Sequence, residues 1–484
     1  MQAGKQSWPP SVEALAAECP NLRLSTMPEV AFDPWWELAS RLRYARFYLR
    51  FLRPEYRDTP ELLTRARNRA PRWAVRLGER VASITAAHRG LNAVIECLDQ
   101  STRSARAFHE FLATRSPDVV VTTPLIVLKT AQLDLARAAM ELGLRNVFAV
   151  ASWDHLSSKS ELPFEPQRIF VWNDVQKREA VNLHRQPPDR VVVTGAQLFD
   201  EWFGKRPSTT REDFCRRVGL PPDRPFVLYV CSSLLEGSTP EPPFVLRWVQ
   251  TLRHSGDATL RDCGILIRPH FRRGRDWRGV DVAALGNVVC WPPEGDVPAE
   301  ARSKTDYFDS LYHASAIVGL NTSAMIEGAI LGRPVCTVLI DEFKDSQEGT
   351  LHFHYLLNRG GPLHVSRSLD QHARDLAARL AVGPQSERSV DFVQTFVRPH
   401  GLGVSATDRF VGELEALAAT PAPAAIPVPA WTRLVRPLLY PFARAAAARA
   451  RRVSGDFRRR KEQLLVEHRL RKAANAAARA NRLT

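Results

Sequence analysis

Between residues 118 and 340 the chain repeats one pattern: a short run of consecutive apolar, mostly β-branched residues, then a stretch of helical length. A first series comprises DVVVTTP (118–124), RNVFAVAS (145–152), RIFVWN (168–173) and RVVVTGA (190–196). A second comprises FVLYVCSS (226–233), GILIRPH (264–270), NVVCWPP (287–293), AIVGLN (316–321) and PVCTVLI (334–340). Strands that are apolar on both faces must be covered on both faces, and helices between successive strands impose parallel pairing. The fold class is α/β, with two parallel sheets in tandem.

A polar, proline-containing passage from Trp202 to Pro225 separates the two series. It divides an N-terminal domain over 1–205 from a second domain over 224–420. Residues 31–115 read as helices, with Trp35, Leu38, Leu42, Ala45, Tyr48 and Leu49 at helical spacing, so the first domain carries a helical insertion. Prolines among small residues make 421–430 an extended linker, and 431–484 reads as a basic, amphipathic helical tail in which Pro437 and Pro441 interrupt the first segment. That tail holds fifteen Arg or Lys against three acids, hence +12 of the net charge of +15. The body is nearly neutral, which argues against nucleic acid as a partner, whereas the tail suits an anionic membrane surface. The seven cysteines are scattered, outside any CxxC spacing, and read as reduced core thiols. No stretch has the length of an apolar spanning helix and MQAGKQSWPP has no apolar leader core, so a cytoplasmic protein, peripheral at the inner face of the membrane, is expected.

The segment GLNTSAMIEGAILGRPV (319–335) is a strand ending in Asn321, Thr322 and Ser323, then a helix, then Gly-Arg-Pro before the next strand. Thr322 or Ser323 can cap the helix, whose open N–H groups suit a phosphate. Glu327 is one turn on, where a carboxylate can accept both ribose hydroxyls. The same spacing also fits a capped core helix with a solvated Glu. This segment resembles the nucleotide-binding part of GT-B enzymes, in particular UDP-N-acetylglucosamine 2-epimerases and CDP-glycerol glycerophosphotransferases. The resemblance covers roughly 118–415 and implies two Rossmann-like domains with the donor held by the second. It puts Thr322 and Ser323 on the diphosphate and Glu327 on the ribose.

Other segments agree with it. In LYVCSSLLEG (228–237), Ser232 and Ser233 offer hydroxyls to phosphate, and in ILIRPHF (265–271), Arg268 is a counter-charge and His270 an acid for the leaving phosphate. Trp291, just past a strand, can stack on the base or simply pack. In ASWDHLSSKS (151–160), similar to a Ser-Trp-Asp-Asn segment of glycerophosphotransferase relatives, Asp154 is the candidate general base and His155 stands in place of Asn. His352 and His354 alternate as on a strand and are candidate cleft residues; no third ligand accompanies them, so no metal is expected. One departure stands out, since the strand and glycine-rich loop that usually open a GT-B first domain are missing near LRLSTM (22–27).

The expected function is transfer of a sugar or alditol-phosphate group from a nucleotide-diphosphate donor to a hydroxyl, without a cofactor. The resemblance implies an envelope polysaccharide or lipid-linked acceptor. A nucleotide-sugar 2-epimerase and a non-catalytic scaffold of the same fold are the alternatives.

Overall fold

The computed structural model describes residues 2–3, 8–128, 130–234, 238–297, 301–358, 360–383 and 387–480, with the helical backbone alone over 457–480. Two parallel sheets organise the chain. The first has strands β1 (Val119–Thr122), β2 (Arg145–Ala149), β3 (Arg168–Val171) and β4 (Val191–Val193), side by side in chain order. The second has β5 (Phe226–Val230), β6 (Gly264–Arg268), β7 (Val288–Cys290), β8 (Ala316–Gly319), β9 (Val335–Val338) and β10 (Leu363–Ser366). Their order is β10-β9-β8-β5-β6-β7. All residues of β5, β6, β8 and β9 are buried, because helices cover both faces.

The second sheet winds outward in both directions from the neighbours β5 and β8, where Val230 pairs with Gly319. The loops leaving these two strands go to opposite faces and open a crevice at their carboxyl ends, the place where sheets of this type bind ligands. The first sheet has no such reversal. Among the described residues LRLSTM contributes only a two-residue strand, Thr26–Met27, paired parallel with Gln2–Ala3 outside this sheet, and a layer of helices follows it in the chain.

That layer is α1 (Pro34–Phe51), α2 (Pro60–Arg69), α3 (Arg72–Val81) and α4 (Thr85–Ser101). Asp33 caps α1 by accepting from the Trp36 amide at 2.9 Å, and Pro34 supplies a preset first turn. The helix is buried on nearly all sides, arginines included. Arg43 pairs with Asp134 (2.9 Å) and Asp99 (3.3 Å), and Arg46 with Glu96 (3.3 Å) and Glu161 (3.6 Å). Arg50 donates to the carbonyls of Lys159 (2.7 Å) and Leu156 and to the Tyr56 hydroxyl (2.6 Å).

The chain ends back on its first half. Although the sequence reading carries the second domain to residue 420, helix α7 (Ala406–Ala419) packs Leu417 with Val147 and Phe170 of the first sheet, since its apolar face matches that surface. The backbone crossing is tied at Asp200, whose carboxylate accepts from Arg398 (2.7 Å) and the amides of Ala406 and Thr407. The proline linker then runs along the first domain, where the Ile426 amide donates to the Met140 carbonyl at 3.0 Å.

Helix α8 (Thr432–Ala480) follows, and it passes through Pro437 and Pro441 instead of stopping there. Both prolines lie on the exposed side, where water can take the carbonyls they leave unpaired, while Ala443, Ala446 and Ala447 are buried on the opposite side. Ala443 belongs to the cluster built around α1, Tyr440 stands 5.9 Å from Trp35, and Arg436 donates to the Ser101 carbonyl. The first half of the tail is therefore a cover for the helical layer. Among the described residues no helix is long and apolar enough to cross a membrane. All seven cysteines are free; Cys19 and Cys97 are on the surface and not in the core.

Candidate functional site

A cavity of about 780 Å³ lies between the two sheets at the carboxyl ends of β2, β5, β6 and β8. Its walls include Asp154 from the first domain and Ser233, Arg268, His270, Asn321, Thr322, Ser323, Glu327 and His352 from the second. Parallel strands point every carboxyl end the same way, so loops far apart in sequence converge here.

Asp154 follows β2 and is held by three donors: Ser152 Oγ at 2.6 Å, Ser158 Oγ at 2.8 Å and Lys159 Nζ at 3.0 Å. Burial works against its charge, but the charge of Lys159, the neighbouring His352 and the Ser152 hydrogen bond outweigh burial and hold the carboxyl well below the usual carboxylate range. It is ionised and only weakly basic. His352 stands edge-on to Trp153 with ring centres 4.7 Å apart, and its buried Nδ1 has no hydrogen-bond partner among the described residues. Burial pushes its imidazole down to about 4, with the Asp154 charge pulling the other way. The segment is turn and then a short helix, α6 (His354–Leu357), not a strand, so His354 diverges from His352 and faces the Glu348 carbonyl at 2.8 Å. His155 is buried in the first domain, outside the cavity lining.

On the opposite wall, Arg268 ends β6 with its guanidinium over the Tyr307 ring at 5.4 Å. Tyr307 in turn donates to Glu327 Oε2. Burial pushes the Glu327 carboxyl up to about 7 against the pull of that hydrogen bond. His270 Nδ1 accepts from the Arg272 amide at 3.2 Å, which leaves the proton on Nε2, and burial lowers this imidazole to about 4. It is neutral at physiological pH, able to donate a hydrogen bond through Nε2 and not a ready proton donor.

Two expectations fail on geometry. Ser232 is fully buried: its amide donates to Glu241 at 2.9 Å and its hydroxyl accepts from the Asn321 amide at 3.0 Å, so it braces the two crevice loops and does not face a ligand. Trp291 packs against the core beneath β6 with Val289 and Tyr307 and is not part of the cavity lining. Ser323 does not cap its helix, α5 (Ala324–Ile330); the Thr322 hydroxyl instead accepts weakly from the Ala324 amide at 3.4 Å. Asn321 spends its side chain on the Ser346 carbonyl at 2.6 Å, which anchors the turn leading to His352.

Sequence reading missed Tyr307 and the cations Arg65, Arg69, Lys159 and Arg272, all of which line the cavity. Arg65 and Arg69 lie one helical turn apart in TRARNR (64–69), a spacing that puts both on one face and that was legible. Tyr307 carries no local signal, since only the fold brings it to Glu327.

No protein-family model and no curated protein sequence matches the chain. Among solved structures it is similar to S. aureus MnaA with UDP, at 13% identity over 66% of this chain and 82% of that one, TM-score 0.45. It is also similar to a Methanocaldococcus jannaschii UDP-GlcNAc 2-epimerase with UDP-GlcNAc and UDP, at 15% identity over 64% and 78%, TM-score 0.41. The wall teichoic acid polymerase TagF follows at 12% identity over 52% and 58%, TM-score 0.33. At these identities the likeness is one of fold.

Proposed function

We propose that the chain is a transferase that moves a sugar or an alditol-phosphate group from a nucleotide-diphosphate donor to a hydroxyl of a cell-envelope acceptor, on the cytoplasmic side of the membrane. The observation that carries this reading is the convergence, in one interdomain cavity, of Asp154 and His352 with Arg268, His270 and Glu327. Glu327 accepts the ribose hydroxyls, Arg268 balances the diphosphate, and His270 donates Nε2–H to the leaving phosphate. For a sugar, the acceptor oxygen bonds to the anomeric carbon as the nucleoside diphosphate leaves. For an alditol phosphate it bonds to the β-phosphorus and the nucleoside monophosphate leaves.

In both cases the acceptor proton needs a base. Asp154, with its oxygens committed to three donors, is the weaker of the two candidates, so His352 takes the proton and the fixed charge of Asp154 stabilises the imidazolium that forms. Attachment to an anionic membrane is supported by α8, where Leu434, Leu438 and Phe442 recur every four residues and are 78%, 72% and 67% exposed beside basic residues. The test is turnover, read as CMP released from CDP-glycerol or UDP from a UDP-sugar. His352→Gln and Asp154→Asn should each lower it ~100-fold or more and leave donor affinity unchanged. Full turnover in both variants rejects the mechanism.

A further inference from the structure

Beside Asp154 a second cavity of about 680 Å³ opens toward the helical layer, and its composition differs from that of the interdomain cleft. One wall is apolar: Tyr44 and Phe47 from α1, and Ile126, Val127 and Leu128 from the segment after β1. The rim it shares with the cleft is formed by Arg65, Arg69, Lys159 and Arg272. No Asp or Glu is among its described lining residues.

These cations are not all accounted for by the protein. Lys159 is bonded to Asp154, and Arg65 donates to the Ser158 carbonyl. Arg69 and Arg272 have no ion-pair partner among the described residues. Arg65 and Arg69 are a like-charged pair one turn apart on α2, an arrangement that costs stability in an isolated helix. Arg69 and Arg272 are exposed at the mouth of the groove, and arginines clustered on such a rim favour an anion with several acceptor oxygens, the planar guanidinium matching phosphate in particular. The donor diphosphate already has Arg268 and His270 on the far wall.

We infer that this groove is the acceptor subsite, and that the acceptor brings a phosphate group to Arg65, Arg69 and Arg272 while its apolar neighbour lies along Tyr44, Phe47 and Val127. The inference rests on the transferase reading, since it is that reading which requires an acceptor. In this arrangement the acceptor hydroxyl reaches Asp154 and His352 from the helical side, opposite the donor. A soluble phosphorylated polyol and a lipid-linked phosphate share the chemistry the rim recognises; the apolar wall separates them.

The test titrates the full chain with glycerol 3-phosphate and with dodecyl phosphate by calorimetry, and in parallel with UDP and CDP. Arg69→Gln should weaken both phosphate probes about tenfold, the loss of one charge-assisted contact. Val127→Glu, at a position that lines the groove and not the cleft, should do the same while leaving UDP or CDP binding as in the wild type. Tighter binding of dodecyl phosphate that is lost in Leu128→Asp identifies a lipid-linked acceptor; equal binding of the two probes identifies a soluble one. Failure of the wild type to bind either phosphate, or unchanged binding in both Arg69→Gln and Val127→Glu, overturns the subsite. Failure of UDP and CDP alone counts against the donor reading and leaves the phosphate result to be judged on its own.

Discussion

Replacing Glu327 by Gln should abolish a pH dependence of nucleotide binding that the fold itself creates. Glu327 lies on the short helix after β8, its carboxylate against the Tyr307 hydroxyl, and burial raises its pKa from the ordinary 4.5 to about 7. On the proposed assignment ribose hydroxyls donate to the ionised carboxylate, so binding selects the deprotonated form. With the folded value near 7, affinity should be nearly full at pH 8 and about tenfold weaker at pH 6. His270 and His352, both lowered to about 4, do not titrate in this window. The phosphate's own ionisation acts equally on wild type and variant, so their difference isolates Glu327. Stability gives an independent check. A raised carboxyl makes the fold take up a proton that the unfolded chain does not, so this contribution is present below 4.5 and is lost as pH rises through about 7. Glu179 and Glu241, raised by burial to about 7 and about 8, contribute a decline in the same window, so the Gln variant should show a smaller decline than the wild type. The assay is calorimetric titration of nucleoside diphosphate and of its 2′,3′-dideoxy analogue at pH 6, 7 and 8. An equal slope in Glu327→Gln, or an undiminished slope with the dideoxy compound, refutes the ribose assignment.

Arg50→Met should cost about 2–4 kcal/mol in urea unfolding, because it strips donors from the Leu156 and Lys159 carbonyls and from Tyr56; an unchanged midpoint contradicts this. Replacing Leu434, Leu438 and Phe442 together by Ser should abolish cosedimentation with anionic vesicles and leave the melting temperature unchanged, and retained vesicle binding counts against the membrane reading. Deleting 431–484 should instead lower the melting temperature, since it uncovers α1.

The sheets were legible because a strand covered on both faces must be apolar at consecutive positions, which no helix of this length imitates. The crevice loops followed from the strands, and with them Asp154, Arg268, His270 and Glu327. The helical layer was legible as helices but not as a buried unit. Arg43, Arg46 and Arg50 fall on spacing that reads as a solvated face, and their acids and carbonyls come from residues 96 to 161. Ser232 misled for a related reason: a hydroxyl at a strand end looks the same in sequence whether it meets a ligand or, as here, a neighbouring loop's amide. The prolines of α8 were read by a rule for isolated helices, and packing of Ala443 against α1 overrides it.

The account stands on a nucleotide in the cleft at β5 and β8, and a thermal shift scan with UDP, CDP, GDP and ADP tests this directly. At a concentration 100 times its dissociation constant a bound diphosphate adds about 2.7 kcal/mol, a rise of a few degrees in a chain of this size. The account predicts such a rise for at least one of the four, largely lost in Glu327→Ala, with free pyrophosphate raising both proteins equally. No rise with any of them, or the same rise in Glu327→Ala, contradicts it.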